Sequence, residues 1–257
     1  MCRIAALTAT DLSPRVKRNI FDIAMTAGFS DNYQKSGWGV SDGEQIIKNG
    51  KPYSSGGWQG VSRLNPDNVW IGHVRAASPN TAISNKEAHP FALANGFVGV
   101  HNGFFDGTDK SEFKAREPDS DSYRAFASLS YLMQANTDNI ISIVESQWLP
   151  RFYQGSKFVV GIANARIINF FRHDEDRTLF YARVGNGFLI CTTLDMIEFV
   201  RDRAVRYNIV VGQTREINTY SAYVFLAGSS LVQNQELDYQ LAAIPNEVLA
   251  RRAFEKK

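Results

Sequence analysis

The sequence predicts an α+β domain: two packed antiparallel β-sheets flanked by helices. Three observations predict it. Short apolar runs bounded by Gly, Asn and Asp dominate both ends of the chain. Two longer helix-like stretches, about 120–134 and 138–152, stand between them. Asn95-Gly96 and Asn186-Gly187 each separate two apolar runs, the turn chemistry of an antiparallel hairpin. Strands, two helices, then strands again is the order that a layered α+β domain requires.

Taken in order, residues 2–8 form a short apolar run that reads as a buried strand. Asp11-Leu12-Ser13-Pro14 reads as a helix entry, with Ser13 as cap and Pro14 at the first position. Val16, Ile20, Ile23, Ala24 and Ala27 recur at helical spacing, and Gly28 is the expected stop. Gly37-Trp38-Gly39, the Asp42-Gly43 turn, the run 45–47 and the Asn49-Gly50 turn continue as strands and turns. Residues 54–60 are rich in Ser and Gly and read as a loop. Residues 68–74 are a strand that ends on Arg75, and 76–87 an irregular loop. Runs 91–93 and 97–100 form a hairpin whose second arm continues into His101-Asn102-Gly103. Ser120 or Asp121 caps the next helix, and the one after it ends near Pro150. Strands follow at 158–163, 167–171, 178–184 and 187–192, a helix at 195–207, and late strands at 209–211 and 221–225.

The totals bound the reading. At 257 residues and 44% hydrophobic, the chain can bury a large core. With no repeat, low-complexity linker or charge block, residues 1–257 read as one domain, with 234–257 a polar tail, docked or loose. A net charge of +2 with scattered Lys and Arg gives no reason to expect nucleic acid or an acidic membrane surface as partner. Two Cys make no disulfide framework and suit a reduced cytoplasm. No apolar run reaches the ~18–20 residues of a membrane span, and the N-terminus lacks the regions of a signal peptide.

The chemistry centres on Cys2. Removal of Met1 would leave a thiol, titrating near ~8.5, and a free α-amine, near ~7.7–8.0, on one residue. Nucleophile and base are then combined, as in other N-terminal-amine catalysts. Three polar features at element ends complement it. Arg75 offers a planar fork for a carboxylate. Asn102-Gly103 offers a side-chain amide and an approachable backbone N–H for an oxyanion. Asp121 offers a carboxylate for an ammonium group. Each also has an ordinary structural use: a strand-end ion pair, a turn, a helix cap. Together they describe a site for an amino acid with a side-chain carbonyl, and glutamine fits all four features.

The sequence resembles the class II glutamine amidotransferase domain of the N-terminal-nucleophile hydrolases. The matching stretches occur in family order over about the first half of the chain. They are Met1-Cys2-Arg3-Ile4, Gly37-Trp38-Gly39, Gly72-His73-Val74-Arg75-Ala76-Ala77-Ser78, His89-Pro90-Phe91, His101-Asn102-Gly103 and Ser120-Asp121-Ser122. The strands from 157 to 193, with Arg183-Val184-Gly185-Asn186-Gly187, resemble the family's later sheet.

The resemblance implies a four-layer αββα sandwich, the N-terminal-nucleophile hydrolase fold. It implies Cys2 as nucleophile, its own α-amine as proton carrier, and Asn102 with Gly103 N–H as the oxyanion site. Arg75, with Ser78 alongside, would hold the substrate carboxylate, and Asp121 its amine. No cofactor and no metal are implied. Spacing alone offers no paired-ligand motif for His73, His89 and His101, which read as shaping the pocket. Cys191, within a strand pattern, reads as core.

Three positions depart from the family's pattern: Ala76 follows the arginine where many members have an aromatic residue, Tyr123 stands at a usually acidic position, and Ser36 precedes Gly-Trp-Gly in place of Asp. Residues after about 195 are too few for a separate synthase domain. The expectation is glutamine hydrolysis with ammonia delivered to a synthase subunit, or simple amidohydrolysis. The alternatives are another γ-glutamyl amide as substrate, or a non-catalytic module of the same build.

Overall fold

The structure is a computed structural model. It describes residues 2–29, 36–54, 56–76, 84–107, 120–136 and 139–240. Strand β1 (Arg3–Leu7) leads into helix α1 (Pro14–Phe29), which starts as expected: Val16 N–H donates to Ser13 Oγ at 3.4 Å. Strands β2 (Trp38–Ser41) and β3 (Ile46–Asn49) follow. A short helix, α2 (Gly57–Val61), occupies part of the stretch expected to be a loop. Neighbours hold this turn in place. A Cβ added at Gly57 would lie 2.3 Å from the Tyr53 ring, and one at Gly60 2.7 Å from Trp38. Glycines that disfavour a helix in isolation are here the only residues that fit beneath those rings.

Strand β4 (Trp70–Val74) ends just before Arg75. Strands β5 (Phe91–Ala92) and β6 (Val98–Phe104) form the expected hairpin, turning through Asn95 (φ 58°) and Gly96 (φ 73°). Helix α3 (Asp121–Ala135) is capped by Ser120, whose Oγ accepts from Tyr123 N–H at 3.2 Å, so Asp121 is its first residue. Helix α4 (Ile140–Ile143) runs on through a π-turn (Val144–Trp148) and a 3₁₀ turn (Leu149–Arg151) that contains Pro150.

Strands β7 (Lys157–Ala163), β8 (Ile167–Arg172), β9 (Phe180–Val184) and β10 (Gly187–Cys191) come next. Val184 pairs with Gly187, so the β9–β10 turn is Gly185-Asn186, one residue earlier than the Asn-Gly pair suggests. Gly185 supplies the positive φ of 57° there. Helix α5 (Leu194–Ala204) precedes β11 (Val211–Glu216) and β12 (Ser221–Leu226). A last strand, β13 (Val232–Glu236), was not expected, because its side chains are polar and mostly exposed. The rest of the C-terminal stretch, from 241, lies outside the described residues.

The strands make two sheets, ordered β11-β9-β10-β1-β4-β2-β3 and β13-β12-β8-β7-β6-β5, with antiparallel neighbours throughout. Alternation along β1 shows the layering. Ala5 and Leu7 join a core with Phe21, Met25 and Ile197 of α1 and α5, whereas Ile4 and Ala6 join the core between the sheets. Helices α3 and α4, with the π-turn that follows α4, cover the outer face of the second sheet through Phe126, Leu129, Ile143 and Trp148. The result is an αββα sandwich with β1 in the middle of its sheet. No helix of the described residues is long and apolar enough to cross a membrane.

Candidate active site

The period of two along a strand decides which side chains face the space between the sheets. Cys2 lies two residues before the inward-facing Ile4 and shares its side of the sheet. On β4, Ile71 faces inward, so His73 and Arg75 do also; on β6, Val98 and Val100 face inward, so Asn102 does. Arg3 pairs with Val74, which sets Cys2 beside Arg75 on the neighbouring strand. The two sheets are tied together here, since His73 Nε2 donates to the His101 carbonyl at 3.0 Å. Cys2, Arg75 and Asn102, separated by up to a hundred residues in the chain, therefore converge between the sheets.

Cys2 is partly buried and its Sγ contacts Ala76 O at 3.7 Å. Burial pushes its thiol up, while the Arg75 guanidinium works the other way. A thiol kept neutral needs a base before it can attack.

Arg75 is buried, and its Nη2 lies 3.7 Å from Glu87 Oε2. Its backbone N–H donates to Gly37 O at 2.8 Å, which ties the arginine to the Gly-Trp-Gly motif. That motif has a packing reason. A Cβ at Gly39 would stand 2.0 Å from His89 O, so only glycine lets β2 and His89 approach.

Asn102 is buried, and its Oδ1 has no hydrogen-bond partner among the described residues. Gly103 has φ 139°, and a Cβ there would lie 1.9 Å from Lys157 O. No other residue fits between β6 and β7 there.

Asp121 Oδ2 accepts from Phe105 N–H at 2.8 Å, and its Oδ1 lies 3.4 Å from Ser122 Oγ. This joins the start of α3 to the end of β6 and leaves lone pairs on both oxygens. Ser78 lies outside the described residues.

The three histidines pack as a buried stack. The rings of His73 and His89 are 4.1 Å apart, those of His89 and His101 6.3 Å. His101 Nδ1 shares a hydrogen bond of 2.8 Å with Ser122 Oγ. Burial pushes His73 down to about 3, His101 to about 4, and His89 well below its ordinary value, so all three are neutral at pH 7. Among the described residues no group of His, Cys, Asp or Glu is arranged to hold a metal ion. Cys191 is fully buried in the core, with its thiol pushed up by burial.

Two charged residues near the site were not anticipated. Glu87 meets Arg75 from a stretch that reads as irregular loop; its only sequence signal is a charge opposite to the arginine's. Arg177 acts on His101 through its charge, and nothing in its local sequence marks it.

No protein-family pattern and no curated protein matches this sequence. Among solved structures, glutamine phosphoribosylpyrophosphate amidotransferase from B. subtilis, complexed with ADP and GMP, superimposes with a TM-score of 0.66 at 13% identity. A second structure, described as the allosteric regulatory enzyme of purine biosynthesis, gives 0.67 at 12% identity. In both cases 94% of this chain is covered, and it spans 50% of the other chain's length. Over nearly all of its length, then, this chain has the fold found in these two enzymes, and that fold is the two-sheet, helix-flanked sandwich its sequence leads one to expect.

Proposed function

We propose that this protein hydrolyses the side-chain amide of glutamine through a thioester on Cys2, with Met1 removed. The observation that carries the reading is the convergence of Cys2, Arg75 and Asn102 on inward-facing positions of β1, β4 and β6, next to the glycine-only backbone of Gly103. The fold shared with a glutamine amidotransferase supports it.

In this reading the α-amine of Cys2 takes the thiol proton as sulfur attacks the amide carbon. The carbonyl electrons move onto oxygen, where the Asn102 amide and Gly103 N–H stabilise the oxyanion. Arg75 holds the α-carboxylate, with Ser78 alongside, and Asp121 holds the α-ammonium. The oxyanion collapses, the C–N bond breaks, and the proton returns to nitrogen so that ammonia leaves. Water then opens the γ-glutamyl thioester to glutamate and frees the thiol. The buried, neutral histidines shape the walls. The ammonia passes to an acceptor on a synthase partner, in the cytoplasm.

The test is intact mass before and after incubation with a diazo-ketone analogue of glutamine. Loss of Met1 and one covalent adduct, absent in Cys2→Ala, is the expected result. Processed protein that takes no adduct would remove free glutamine as substrate and leave another γ-glutamyl amide or a non-catalytic module.

A further inference from the structure

At the far end of β1 from Cys2 the two sheets part around a cavity of about 520 Å³. Phe188 marks its position, since its N–H donates to Thr8 Oγ1 just beyond β1. The lining comes from both sheets: Tyr181, Arg183, Phe188 and Arg215 from one, Tyr223 and Asn234 from the other.

Register explains why these side chains meet. Tyr181 and Arg183 are two apart on β9 and share a face; Arg183 pairs with Phe188, and Tyr181 with Arg215. On the opposing sheet, Tyr223 of β12 pairs with Asn234 of the neighbouring β13. Phe188 and Tyr223 belong to the core between the sheets, so this is the inner face at the sheets' outer edges. The aromatic floor is continuous, with Tyr181 centred 5.7 Å from Phe188 and 6.1 Å from Tyr223.

Two arginines, Arg183 and Arg215, stand exposed at the rim of this cavity. They are diagonal neighbours on adjacent strands, where like charges repel. No Asp or Glu lines the cavity, and among the described residues neither guanidinium forms an ion pair with a carboxylate. The pairing of β11 with β9 also shifts register between Val211 and Thr214, an irregularity of the kind that re-aims side chains beside binding sites.

We propose that this cavity binds a small planar ring bearing a phosphate monoester. The ring would lie on the Tyr181, Phe188 and Tyr223 floor, and the phosphate oxygens would accept from Arg183 and Arg215, whose forked donors match them. The volume falls within the ~300–1,000 Å³ of small-molecule sites. The site is separate from the Cys2 end and does not depend on the glutamine reading.

The experiment is titration calorimetry of the full chain with phenyl phosphate, inorganic phosphate and phenol. Phenyl phosphate is expected to bind one to one with Kd below about 1 mM, a reasonable affinity for a ligand of this size. Inorganic phosphate should bind at least ~10-fold more weakly, and phenol should show no saturation, because each supplies only one half of the recognition. Arg183→Met and Arg215→Met should each weaken phenyl phosphate by ~10-fold, about the worth of one charge-assisted hydrogen bond. Both residues are exposed, so the variants should fold, and thermal unfolding will verify this. Cys2→Ala should bind as the parent does. Failure of phenyl phosphate to saturate, equal binding by inorganic phosphate, or unchanged binding in the doubly substituted protein would each overturn the proposal.

Discussion

Gly103→Ala is the substitution whose cost can best be worked from the structure. The new methyl would sit 1.9 Å from Lys157 O and 2.8 Å from Phe158 Cα, against an ordinary carbon–oxygen approach of about 3.3 Å or more. Both obstacles are backbone, so no side chain can swing aside. Strand β6 must move away from β7 by more than 1 Å, by the order of that overlap. That breaks the Gly103–Phe158 pairing and the hydrogen bonds beside it, at about 1 kcal/mol each. A φ of 139° adds a further ~1–3 kcal/mol for any residue with a Cβ. The loss comes to about 3–5 kcal/mol, a large share of the ~5–15 kcal/mol typical of a folded protein.

Gly96→Ala is the control. Gly96 also has positive φ, at 73°, but a Cβ there meets nothing within 4 Å. Its cost should be the left-handed backbone alone, about 1–2 kcal/mol. Urea unfolding followed by far-UV circular dichroism measures both. A shift in midpoint for Gly103→Ala at least about twice that for Gly96→Ala, at unchanged slope, is the expected result. Equal shifts would show that the contact with Lys157 has no energetic weight and would refute the argument that β6 needs glycine there.

Four further outcomes follow from the same geometry. Asn102→Ala should lower the chemical rate by ~10²–10³, as loss of an oxyanion donor does, and an effect confined to KM in steady-state kinetics would make Asn102 a binding residue. Glu87→Gln keeps the side chain's shape but removes the charge beside Arg75; it should raise KM for glutamine several-fold with kcat within about twofold, whereas an equal fall in both kcat and kcat/KM would place Glu87 in the chemical step. Gly39→Ala, with its Cβ 2.0 Å from His89 O, should destabilise the fold by several kcal/mol in the same urea assay, and a neutral result would remove the packing role assigned to the Gly-Trp-Gly motif.

The fourth concerns pH. His73 and His101 titrate at about 3 and about 4 in the folded chain and near ~6.5 unfolded, so below pH 6.5 the unfolded chain binds more protons. Stability therefore falls as pH drops through 6.5 toward 4, by about 2 kcal/mol for each of these two histidines between pH 7 and 5. Unfolding at pH 7, 6 and 5 should show the decline, reduced in His101→Gln; a flat profile would mean that these rings are not held neutral.

How far the site could be read in advance depended on what each residue answers to. Cys2, Arg75, Asn102 and Asp121 stood out because polar side chains at the ends of apolar runs are conspicuous, and their order matched a known pattern. Glu87 stood in a stretch without periodicity, and its meaning lies wholly in a contact with a residue on another element. For the same reason the Gly185-Asn186 turn was displaced by one residue: a turn is set by which residues pair, and Val184 pairs with Gly187.

Local physics was sufficient for elements whose information is local. The cap and proline that open α1 and the short apolar runs that become strands are consequences of neighbouring residues, and the sequence alone determined them; it left the cap of α3 between Ser120 and Asp121, and the structure gave it to Ser120. The order of strands, two helices and strands again pointed also to two packed layers. Tertiary structure decided the rest. Helix α2 exists because Tyr53 and Trp38 press on bare glycine backbone, and β13 because β12 offers an edge with unpaired hydrogen-bonding groups, whatever side chains arrive there. It also decided that Cys2, Arg75 and Asn102 share the space between the sheets, and that two arginines rim a cavity at the opposite end. A residue's partners across a sandwich are fixed by register and layer packing, and neither is written within the few residues around it.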